Sequence, residues 1–340
     1  MMFTSLCVFA DAQEYPKPTE SFSIRDPFVL AYDGKYYMYG TGAGAGGYYG
    51  CYVSEDLENW AGPYAVYTAE NDPDFDGCGD YWAPECHYYN GSFYLFATYR
   101  SSHTDLRGTG IFKSDSPLGP FKLISDGQVT PHYRDCIDGT LYVDKDGQPW
   151  IVYVNEWTSC TDGIGEMAAS KLSDDLTHRV GSPKVLFSAD NHFWTDDHVT
   201  DGPFLYKTKD GRLIMLWSNL AKKKGYAVGI AWSDNGKIDG NWFHQPVPLY
   251  ARGAFYEFNG GHGMLFEDFN GQLTLALHSP NGSTAEHPTT AVFIPVEDTG
   301  DTVVLKEDFG FFKNILYGFV KAFNTFYYNF ADAFFDYINY

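Results

Sequence analysis

The chain has 340 residues, of which 44 are Asp or Glu and 23 are Lys or Arg, so its formal net charge is −21. This acidic balance disfavours nucleic acids and anionic membrane surfaces as partners, because both carry negative charge. Hydrophobic residues make up 44% of the sequence, which is enough for a large core, and 18% of the residues are aromatic. Together with 35 glycines, this composition is typical of many short strands joined by tight turns.

The chain begins with an apolar run, MMFTSLCVFADAQ, in which Ala10-Asp11-Ala12 matches the small-residue pattern of a signal-peptide cleavage site. No basic segment precedes the run. We interpret residues 1–12 as a remnant secretory signal and expect a secreted or periplasmic protein; an N-terminal arm without targeting function is the alternative. No run of 18 apolar residues follows in the main body, so the sequence predicts no membrane-spanning segment there.

Five segments repeat one pattern: a polar residue, an alternating strand, a turn, and a second alternating strand. The polar residues are Asp26, Glu85, Asp138, Asp201 and His262, at spacings of 59, 53, 63 and 61 residues. The turns are Asp33-Gly34, Asn90-Gly91, Asp146-Gly147, Asp210-Gly211 and Asn270-Gly271, dipeptides that favour positive φ angles. Each interval has room for about two more strands. The sequence therefore predicts an all-β fold, a five-bladed β-propeller over residues 20–308, in preference to a β-sandwich.

The leading polar residues of the five repeats indicate a function. The innermost strands of a propeller line its central channel, so we expect these five side chains to point into one pocket. Carboxylates gathered in one place repel each other, which costs stability unless they serve a function or bind a cation. Glycoside hydrolysis needs such groups, with base and acid about 6.5–9.5 Å apart in an inverting enzyme. The pattern therefore favours a sugar-cleaving enzyme.

The motifs themselves resemble glycoside hydrolase family 43 over about residues 23–305. The segments that carry the resemblance are SIRDPFV, YWAPECH, IDGTLYVDKDGQPWIVY, TDGPFLYKTKDGRLIMLW and GGHGMLF. The resemblance implies a five-bladed propeller and an inverting hydrolase of arabinose- or xylose-containing plant glycans, of the α-L-arabinofuranosidase or β-xylosidase type. An endo-arabinanase or galactan-acting relative is the alternative within the family. The expected partner is an oligo- or polysaccharide, no cofactor is required, and the sequence predicts no particular oligomeric state.

The resemblance also implies roles for three aspartates. Asp26 matches the family's general base in its RDP motif, and Asp138 matches the residue that orients the acid and modulates its pKa. Asp201 occupies the position of the general acid, where the family usually has Glu in an EGP motif. Asp is one methylene shorter, and a misplacement of about 1 Å can cost about 100-fold in rate. Glu156 or Glu166 as the acid, and a non-catalytic carbohydrate-binding propeller, are therefore the alternatives.

Other pocket residues follow from the resemblance or from their places in the repeats. His262 matches the family's axial histidine, which implies either a calcium ion in the central channel or a structural hydrogen-bonding role. Trp82 and Phe28 are predicted to stack on a pentose face, with packing between blades as the alternative for Trp82. His278 and Glu85 are further predicted substrate contacts. Glu85, which precedes a cysteine, also resembles the acid of retaining, fructan-acting propellers, a less favoured class.

Residues 309–340 differ in character from the repeats, because they are rich in aromatic residues and have a helix-compatible spacing. Lys313, Lys321, Asp332 and Asp336 interrupt the apolar positions, so the segment does not suit a membrane span. We predict a helix-like tail after the propeller. Docking on the propeller, lying at a bilayer interface and pairing with another chain are all open for it.

Overall fold

The computed structural model describes residues 16–44, 47–73, 75–190, 192–284 and 286–306. The predicted signal segment, residues 1–12, and the predicted tail, residues 309–340, lie outside the described residues. Within them, 21 β-strands form five antiparallel sheets, accompanied by two short 3₁₀ helices at Thr19–Ser21 and Ala69–Asn71. The prediction of an all-β, five-bladed propeller is confirmed.

Each sheet is one blade, and its strands follow one another along the chain. Blade 1 contains β1 (Lys17–Pro18), β2 (Arg25–Tyr32), β3 (Lys35–Thr41), β4 (Tyr48–Ser54) and β5 (Asn59–Thr68), with β1 outermost beside β5. Blade 2 contains β6 (Gly77–Tyr89), β7 (Ser92–Ser101), β8 (Arg107–Ser114) and β9 (Lys122–Leu123). Blade 3 contains β10 (Cys136–Val143), β11 (Pro149–Asn155), β12 (Glu166–Leu172) and β13 (Arg179–Ser188). Blade 4 contains β14 (Asp201–Lys207), β15 (Leu213–Ala221), β16 (Gly225–Ser233) and β17 (Trp242–His244). Blade 5 contains β18 (Gly261–Glu267), β19 (Leu273–Ser279), β20 (Thr290–Asp298) and β21 (Val303–Leu305).

The strands β2, β6, β10, β14 and β18 are the innermost strands and surround the axis. Each contacts the next one around the ring, and β18 contacts β2, so the ring is closed. Hydrogen bonds reinforce this closure: the Ile24 N–H donates to the Thr289 carbonyl (3.0 Å), and the Thr290 hydroxyl donates to the Thr19 carbonyl (2.6 Å). Blade 5 is built entirely from late strands. Among residues 16–306 that the structure describes, packing and loop contacts therefore join the two ends of the ring, and no strand is exchanged between blades 1 and 5.

The predicted turns connect the first two strands of every blade. At Asp33-Gly34 and Asn90-Gly91 both residues have positive φ, as a two-residue type I′ turn requires. In the other three turns only the glycine of the pair has positive φ. Those loops are longer; in blade 3, for example, the Asp144 N–H donates to the Gln148 carbonyl at 3.0 Å. The turn dipeptides thus give the location of each hairpin, but not its loop length.

The core lies between neighbouring blades, where facing strands bury aliphatic and aromatic side chains. Between blades 4 and 5, residues such as Leu216, Ile230 and Leu275 are completely buried in one cluster. The high aromatic content serves the same purpose, since Trp60, Trp217 and Trp232 are all at most 1% exposed. Of the residues described, no helix has the length and apolar character needed to cross a membrane.

Truncating Leu275 should destabilise the ring, because this side chain is fully buried between blades 4 and 5. We expect Leu275→Ala to lower the free energy of unfolding by about 3 kcal/mol through lost contacts and a new cavity. Urea denaturation followed by tryptophan fluorescence measures the change. Val180→Ala, at a position that is 46% exposed, is the control and should cost less than about 0.5 kcal/mol. Similar losses in the two variants would contradict the packing described.

Candidate active site

The innermost strand of every blade has a break in its ladder, at or next to its first residue in four blades and at Trp82, five residues into β6, in blade 2. The last paired residues before the break are Arg25, Trp82, Ile137, Asp201 and Gly261, and regular pairing resumes three residues later. The residue that follows each of them has positive φ, between 40° and 57°: Asp26, Ala83, Asp138, Gly202 and His262. Such a bulge re-aims a side chain that would otherwise follow the strand. In blades 1, 3 and 5, the bulge turns the side chains of Asp26, Asp138 and His262 towards the axis.

Each of these left-handed residues donates its backbone N–H to a side chain of the preceding blade. The acceptors are His278 Nδ1 for Asp26 (3.1 Å), Thr41 Oγ1 for Ala83 (2.7 Å), Thr98 Oγ1 for Asp138 (3.0 Å), Asp138 Oδ2 for Gly202 (3.0 Å) and Ser218 Oγ for His262 (2.8 Å). A left-handed non-glycine residue costs about 1–3 kcal/mol and persists only where its surroundings fix it. The contacts between blades therefore fix the bulges.

The bulges correct the prediction that the five leading residues share one register. Asp26, Asp138 and His262 occupy the bulge itself, whereas Asp201 precedes it and Glu85 follows it by two residues. Asp201 still faces the same cavity. Glu85 is buried and does not line that cavity; its Oε2 lies 3.1 Å from His87 Nε2. An alignment of polar residues cannot reveal which residue of each motif is bulged.

Asp26, Asp138, Asp201 and His262 line one cavity of about 400 Å³ at the end of the channel where the inner strands begin. The rest of its wall consists of Arg25, Thr41, Trp82, Ile137, Glu156, Trp157 and Tyr226. Trp82 therefore lies on the wall of this cavity, and its stacking on a sugar stays a prediction. Of the two alternative acids, Glu156 lines the cavity, whereas Glu166 does not and binds Arg134 Nη1 at 3.0 Å.

Two histidines flank the carboxylate of Asp26. Its Oδ1 lies 3.3 Å from His262 Nδ1 and 3.2 Å from His278 Nδ1. Burial alone would raise the pKa of Asp26, but the charge and hydrogen bond of His262 hold it well below its ordinary value. Asp26 is therefore an ionised carboxylate at neutral pH.

The predicted substrate contact by His278 does not match the structure, because this side chain is fully buried behind Asp26 and is absent from the cavity wall. Burial lowers the pKa of His278, so the ring is neutral at pH 7. Its Nδ1 is then free to accept the Asp26 N–H. His278 supports the bulge at Asp26 instead of facing the cavity.

His262 lies between two carboxylates, with Nδ1 3.3 Å from Asp26 Oδ1 and 3.6 Å from Asp138 Oδ2. Burial lowers its pKa, but the charges of Asp26 and Asp138 outweigh burial and raise the pKa to about 10. A metal-bound imidazole is neutral, so binding of calcium by His262 would require the loss of this proton. In the described part of the chain, no group of three or more His, Cys, Asp or Glu side chains has metal-site geometry. Calcium in the channel stays a prediction from the sequence.

Asp138 acts on Asp201 through both its hydrogen bond and its charge. Its Oδ2 accepts the N–H of Gly202, the residue directly after Asp201. Burial raises the pKa of Asp138 to about 6 against the opposing charge of His262, so Asp138 is mostly ionised at pH 7. Burial, and after it the charge of Asp138, raise the pKa of Asp201 well above its ordinary value. The cavity thus combines a carboxyl group whose pKa is lowered, Asp26, with one whose pKa is raised, Asp201.

Tyr226 is a cavity residue that the sequence reasoning missed. Its hydroxyl donates to Asp201 Oδ2 at 2.9 Å, and its ring stacks on His278 with centroids 5.5 Å apart. Glycine at position 261 makes room for it, since a Cβ there would lie 2.4 Å from the Tyr226 ring. Glycine is also needed at Gly202, where φ is 52° and a Cβ would lie 2.7 Å from the His262 ring. Tyr226 lies on the third strand of its blade, where the repeat pattern carries no polar signal.

Phe28 does not contribute to this cavity, contrary to the predicted stacking role. It follows the bulge at Asp26 by two residues, so its side chain returns to the regular strand pattern. Its ring is 6% exposed, with its centroid 4.9 Å from His87 and 6.4 Å from Phe204. It lines a separate cavity of about 540 Å³ that is formed by later residues of the inner strands.

The family model Glycosyl hydrolases family 43 matches residues 15–295 of the chain. The protein belongs to glycoside hydrolase family 43. Among curated proteins, this family 43 chain is 27% identical over 168 residues to an extracellular exo-α-(1→5)-L-arabinofuranosidase of Cellvibrio japonicus, covering 45% of each sequence. It is 27% identical over 143 residues to an extracellular endo-α-(1→5)-L-arabinanase of Bacillus subtilis, covering 40% of this chain and 44% of that protein. The matched region thus spans less than half the length of these two relatives.

Solved structures match the family 43 chain over more of its length. An endo-arabinase from Bacteroides thetaiotaomicron is 37% identical with a TM-score of 0.73, covering 83% of this chain and 97% of that one. An endo-1,4-β-xylanase from the same organism is 26% identical with a TM-score of 0.71, covering 86% of this chain and 96% of that one. The propeller of the family 43 chain therefore corresponds to nearly the whole of both solved chains.

The charge state of His262 can be tested directly. We expect its pKa to fall from about 10 in Asp26→Asn, because the charge of Asp26 is the strongest influence that raises it. Nitrogen-15 NMR of the histidine rings across pH 5–11 measures this. Glu166→Gln, which changes a carboxylate outside the cavity, is the control. An unchanged His262 titration in Asp26→Asn would refute the pairing.

Proposed function

We propose that this protein is an inverting glycoside hydrolase that cleaves α-1,5-linked L-arabinofuranose residues in arabinan. The observation that carries the proposal is that one cavity holds two carboxyl groups in opposite electrostatic surroundings, with the pKa of Asp26 lowered and the pKa of Asp201 raised. An inverting hydrolase needs one carboxylate to accept a proton from water and one carboxylic acid to supply a proton to the leaving group. Burial and neighbouring charges can favour the ionised form of one carboxyl group and the protonated form of the other at the same pH.

The proposed reaction is a single displacement. Asp26 takes a proton from a water molecule as that water attacks the anomeric carbon. Asp201 gives its proton to the glycosidic oxygen as the bond between that oxygen and the anomeric carbon breaks. The products are a sugar of inverted configuration and a free hydroxyl on the leaving chain. Asp26 ends protonated and Asp201 ionised, and proton exchange with solvent restores both.

Asp138 is a positioning residue in this proposal, because it acts through Asp201. Its negative charge raises the pKa of Asp201, and its hydrogen bond to the Gly202 N–H fixes the backbone beside the acid. His262 has the complementary role: its positive charge keeps Asp26 ionised in a buried site.

We assign the acid to Asp201 rather than to the two glutamates considered from the sequence. Glu166 is outside the cavity wall. Burial raises the pKa of Glu156 against the opposing charge of Arg107, but Oε2 lies 2.9 Å from Arg107 Nη2, and this ion pair holds the carboxyl group against Arg107. The shorter Asp201 side chain is fixed by the Tyr226 hydroxyl at 2.9 Å. This contact supports a defined position for the carboxyl group despite its reduced reach.

The substrate class rests on the named relatives. Two curated relatives are named for α-(1→5)-arabinan linkages, and the structural relative at 37% identity is titled an endo-arabinase. Both curated relatives are called extracellular, which supports action outside the cell on a polysaccharide partner. Hydrolysis of β-xylosidic bonds is the second candidate, supported by the similarity to a structure titled endo-1,4-β-xylanase.

The proposal is tested by incubating the protein with linear α-1,5-arabinan, 4-nitrophenyl α-L-arabinofuranoside and 4-nitrophenyl β-D-xyloside. We expect turnover of the arabinose substrates, and proton NMR should detect the β-anomer first because inversion converts an α-linkage. An α-anomer formed first would contradict inversion. Binding of arabino-oligosaccharides without turnover would favour a carbohydrate-binding propeller instead.

Removal of either the proposed base, Asp26, or the proposed acid, Asp201, should abolish most of the turnover. Asp26→Ala and Asp201→Asn should each lower kcat by about 10²–10⁴-fold, since each loses one proton-transfer partner. Initial rates on arabinan measure both. Glu166→Gln is the matched control and should retain wild-type kcat; wild-type rates in Asp26→Ala would exclude the mechanism.

The pH dependence should depend on Asp138. Asp138→Asn retains an oxygen for the Gly202 N–H but removes a negative charge, so the raised pKa of Asp201 should fall. Asp201 then loses its proton at lower pH, and the alkaline limb of the kcat/KM profile should move to lower pH. Profiles from pH 4 to 10 for wild type and variant measure the shift. An alkaline limb that stays in place, or moves to higher pH, would contradict the charge coupling.

A further inference from the structure

Two histidines lie against each other at the junction between blades 3 and 4. His192 belongs to the connection between β13 and β14, and His244 is the last residue of β17, the outermost strand of blade 4. Their ring centroids are 3.8 Å apart, with 35° between the ring planes. Phe187 of β13 lies 4.5 Å and Trp217 of β15 lies 5.3 Å from the His244 ring, centroid to centroid. Both blades therefore contribute rings to one cluster.

The two histidines differ in their hydrogen bonds. His192 Nε2 donates to the Ser188 carbonyl at 2.8 Å, which fixes the proton of that ring on Nε2. Both ring nitrogens of His244 are buried, and neither has a hydrogen-bond partner among the described residues. Burying a neutral polar group without a partner costs free energy, and burying a charged one costs far more. The surroundings of His244 therefore favour its neutral ring.

Few charged or titratable groups face this pair. The β13–β14 connection contributes His192 itself, the one group whose charge acts on His244, and that charge disfavours a second proton. Asp190 of the same connection acts on His192, where its charge raises the pKa against burial. β13 and β15 contribute Phe187 and Trp217, which carry no charge. No described carboxylate is therefore placed to neutralise a proton on His244.

The same junction separates two of the cavity's carboxyl groups. The connection that contains His192 leads directly to Asp201, the first residue of β14. Across the junction, Asp138 on blade 3 accepts the N–H of Gly202 on blade 4 at 3.0 Å. A separation of the two blades would lengthen this hydrogen bond and move Asp201 away from Asp138. The packing of the histidine pair is thus linked to the geometry of the cavity.

We infer that His192 and His244 form an acid-sensitive contact, which holds blades 3 and 4 together while His244 is neutral and opens when His244 takes up a proton. A buried imidazolium there has no acceptor for its N–H groups, whereas opening exposes them to water. If His192 is protonated as well, the two positive rings repel each other at this short spacing. The inference concerns the fold, and it holds or fails independently of the proposed function.

The direction of the pH effect follows from the two forms. Burial holds the pKa of His244 well below its ordinary value in the closed form, and burial also lowers the pKa of His192. An exposed imidazole titrates near pH 6.5, so below that pH the open form binds more protons than the closed form. Acid therefore favours opening. For His244 alone, the ratio of open to closed molecules should rise about tenfold between pH 7.5 and pH 5.5.

Hydrogen exchange with mass spectrometry at pH 7.5 and 5.5 locates the opening, once rates are corrected for the chemical pH dependence of exchange. Peptides that contain Phe187 or His244 should lose about tenfold in protection at pH 5.5, whereas a blade 1 peptide that contains Met38 should not. In His244→Phe, which keeps an aromatic ring but takes up no proton, this loss should disappear. The same loss in wild type and His244→Phe, or in every blade alike, would overturn the inference.

Urea denaturation over the same pH range gives a second measurement. The wild-type folding equilibrium constant, divided by that of His244→Phe, should fall about tenfold between pH 7.5 and 5.5. His178→Phe changes an exposed histidine and is the matched control, which should keep the wild-type pH dependence. If the phenylalanine at position 244 prevents folding, His244→Leu makes the same comparison. A pH dependence that neither substitution alters would exclude the acid-sensitive contact.

Kinetics test the link between this contact and the cavity. With arabinan as substrate, kcat should fall less between pH 7.5 and 5.5 in His244→Phe than in wild type, because the variant keeps the junction closed. An equal fall would exclude the link. If the wild type does not cleave arabinan, the proposed function fails, and the exchange and urea experiments still decide on the histidine contact.

Discussion

One buried cation controls the chemistry of the cavity. Asp26, Asp138 and Asp201 lie in a small, desolvated space, where like charges repel strongly. His262 is placed against the first two and carries a proton, so it compensates part of their charge. At Asp201, burial and the charge of Asp138 outweigh the opposing charge of His262 and raise the pKa. The difference between Asp26 and Asp201 therefore follows from the balance of burial and neighbouring charge at each carboxyl group.

The position of that cation depends on the closure of the ring. The His262 N–H is held by Ser218 of blade 4, and the Asp26 N–H is held by His278 of blade 5. Each bulge is thus supported by its neighbour, and blade 5 supports blade 1 only because the ring closes there. A change in the packing between blades would shift the carboxylates relative to one another. Fold stability and the geometry of the site are consequently linked through the same backbone hydrogen bonds.

Sequence reasoning located the blades because hairpin turns and alternating strands leave a periodic pattern. It was less successful within the motifs, where one bulged residue reverses which side chains face the channel. That is why Glu85 and Phe28 were expected in the cavity and lie elsewhere. Tyr226, on a third strand, and Trp157, on a connecting turn, follow no repeat. The burial of His278 depends on a contact between blades that lie at opposite ends of the chain.

The coupling between Asp138 and Asp201 bears on the use of a short acid. Because the pKa of Asp138 is raised to about 6, this group takes up a proton below that pH and ceases to raise the pKa of Asp201. At such a pH, Asp201 depends less on neighbouring charge to stay protonated, because the higher proton concentration favours its protonated form. Asp26 stays ionised over the same range because its own pKa is well below the ordinary value. The raised pKa of Asp201 therefore matters most towards alkaline pH, where Asp138 is fully charged and its effect is greatest. Two factors thus determine whether an aspartate can serve as the proton donor in this propeller. They are the length of its side chain and the negative charge of a neighbouring carboxylate such as Asp138.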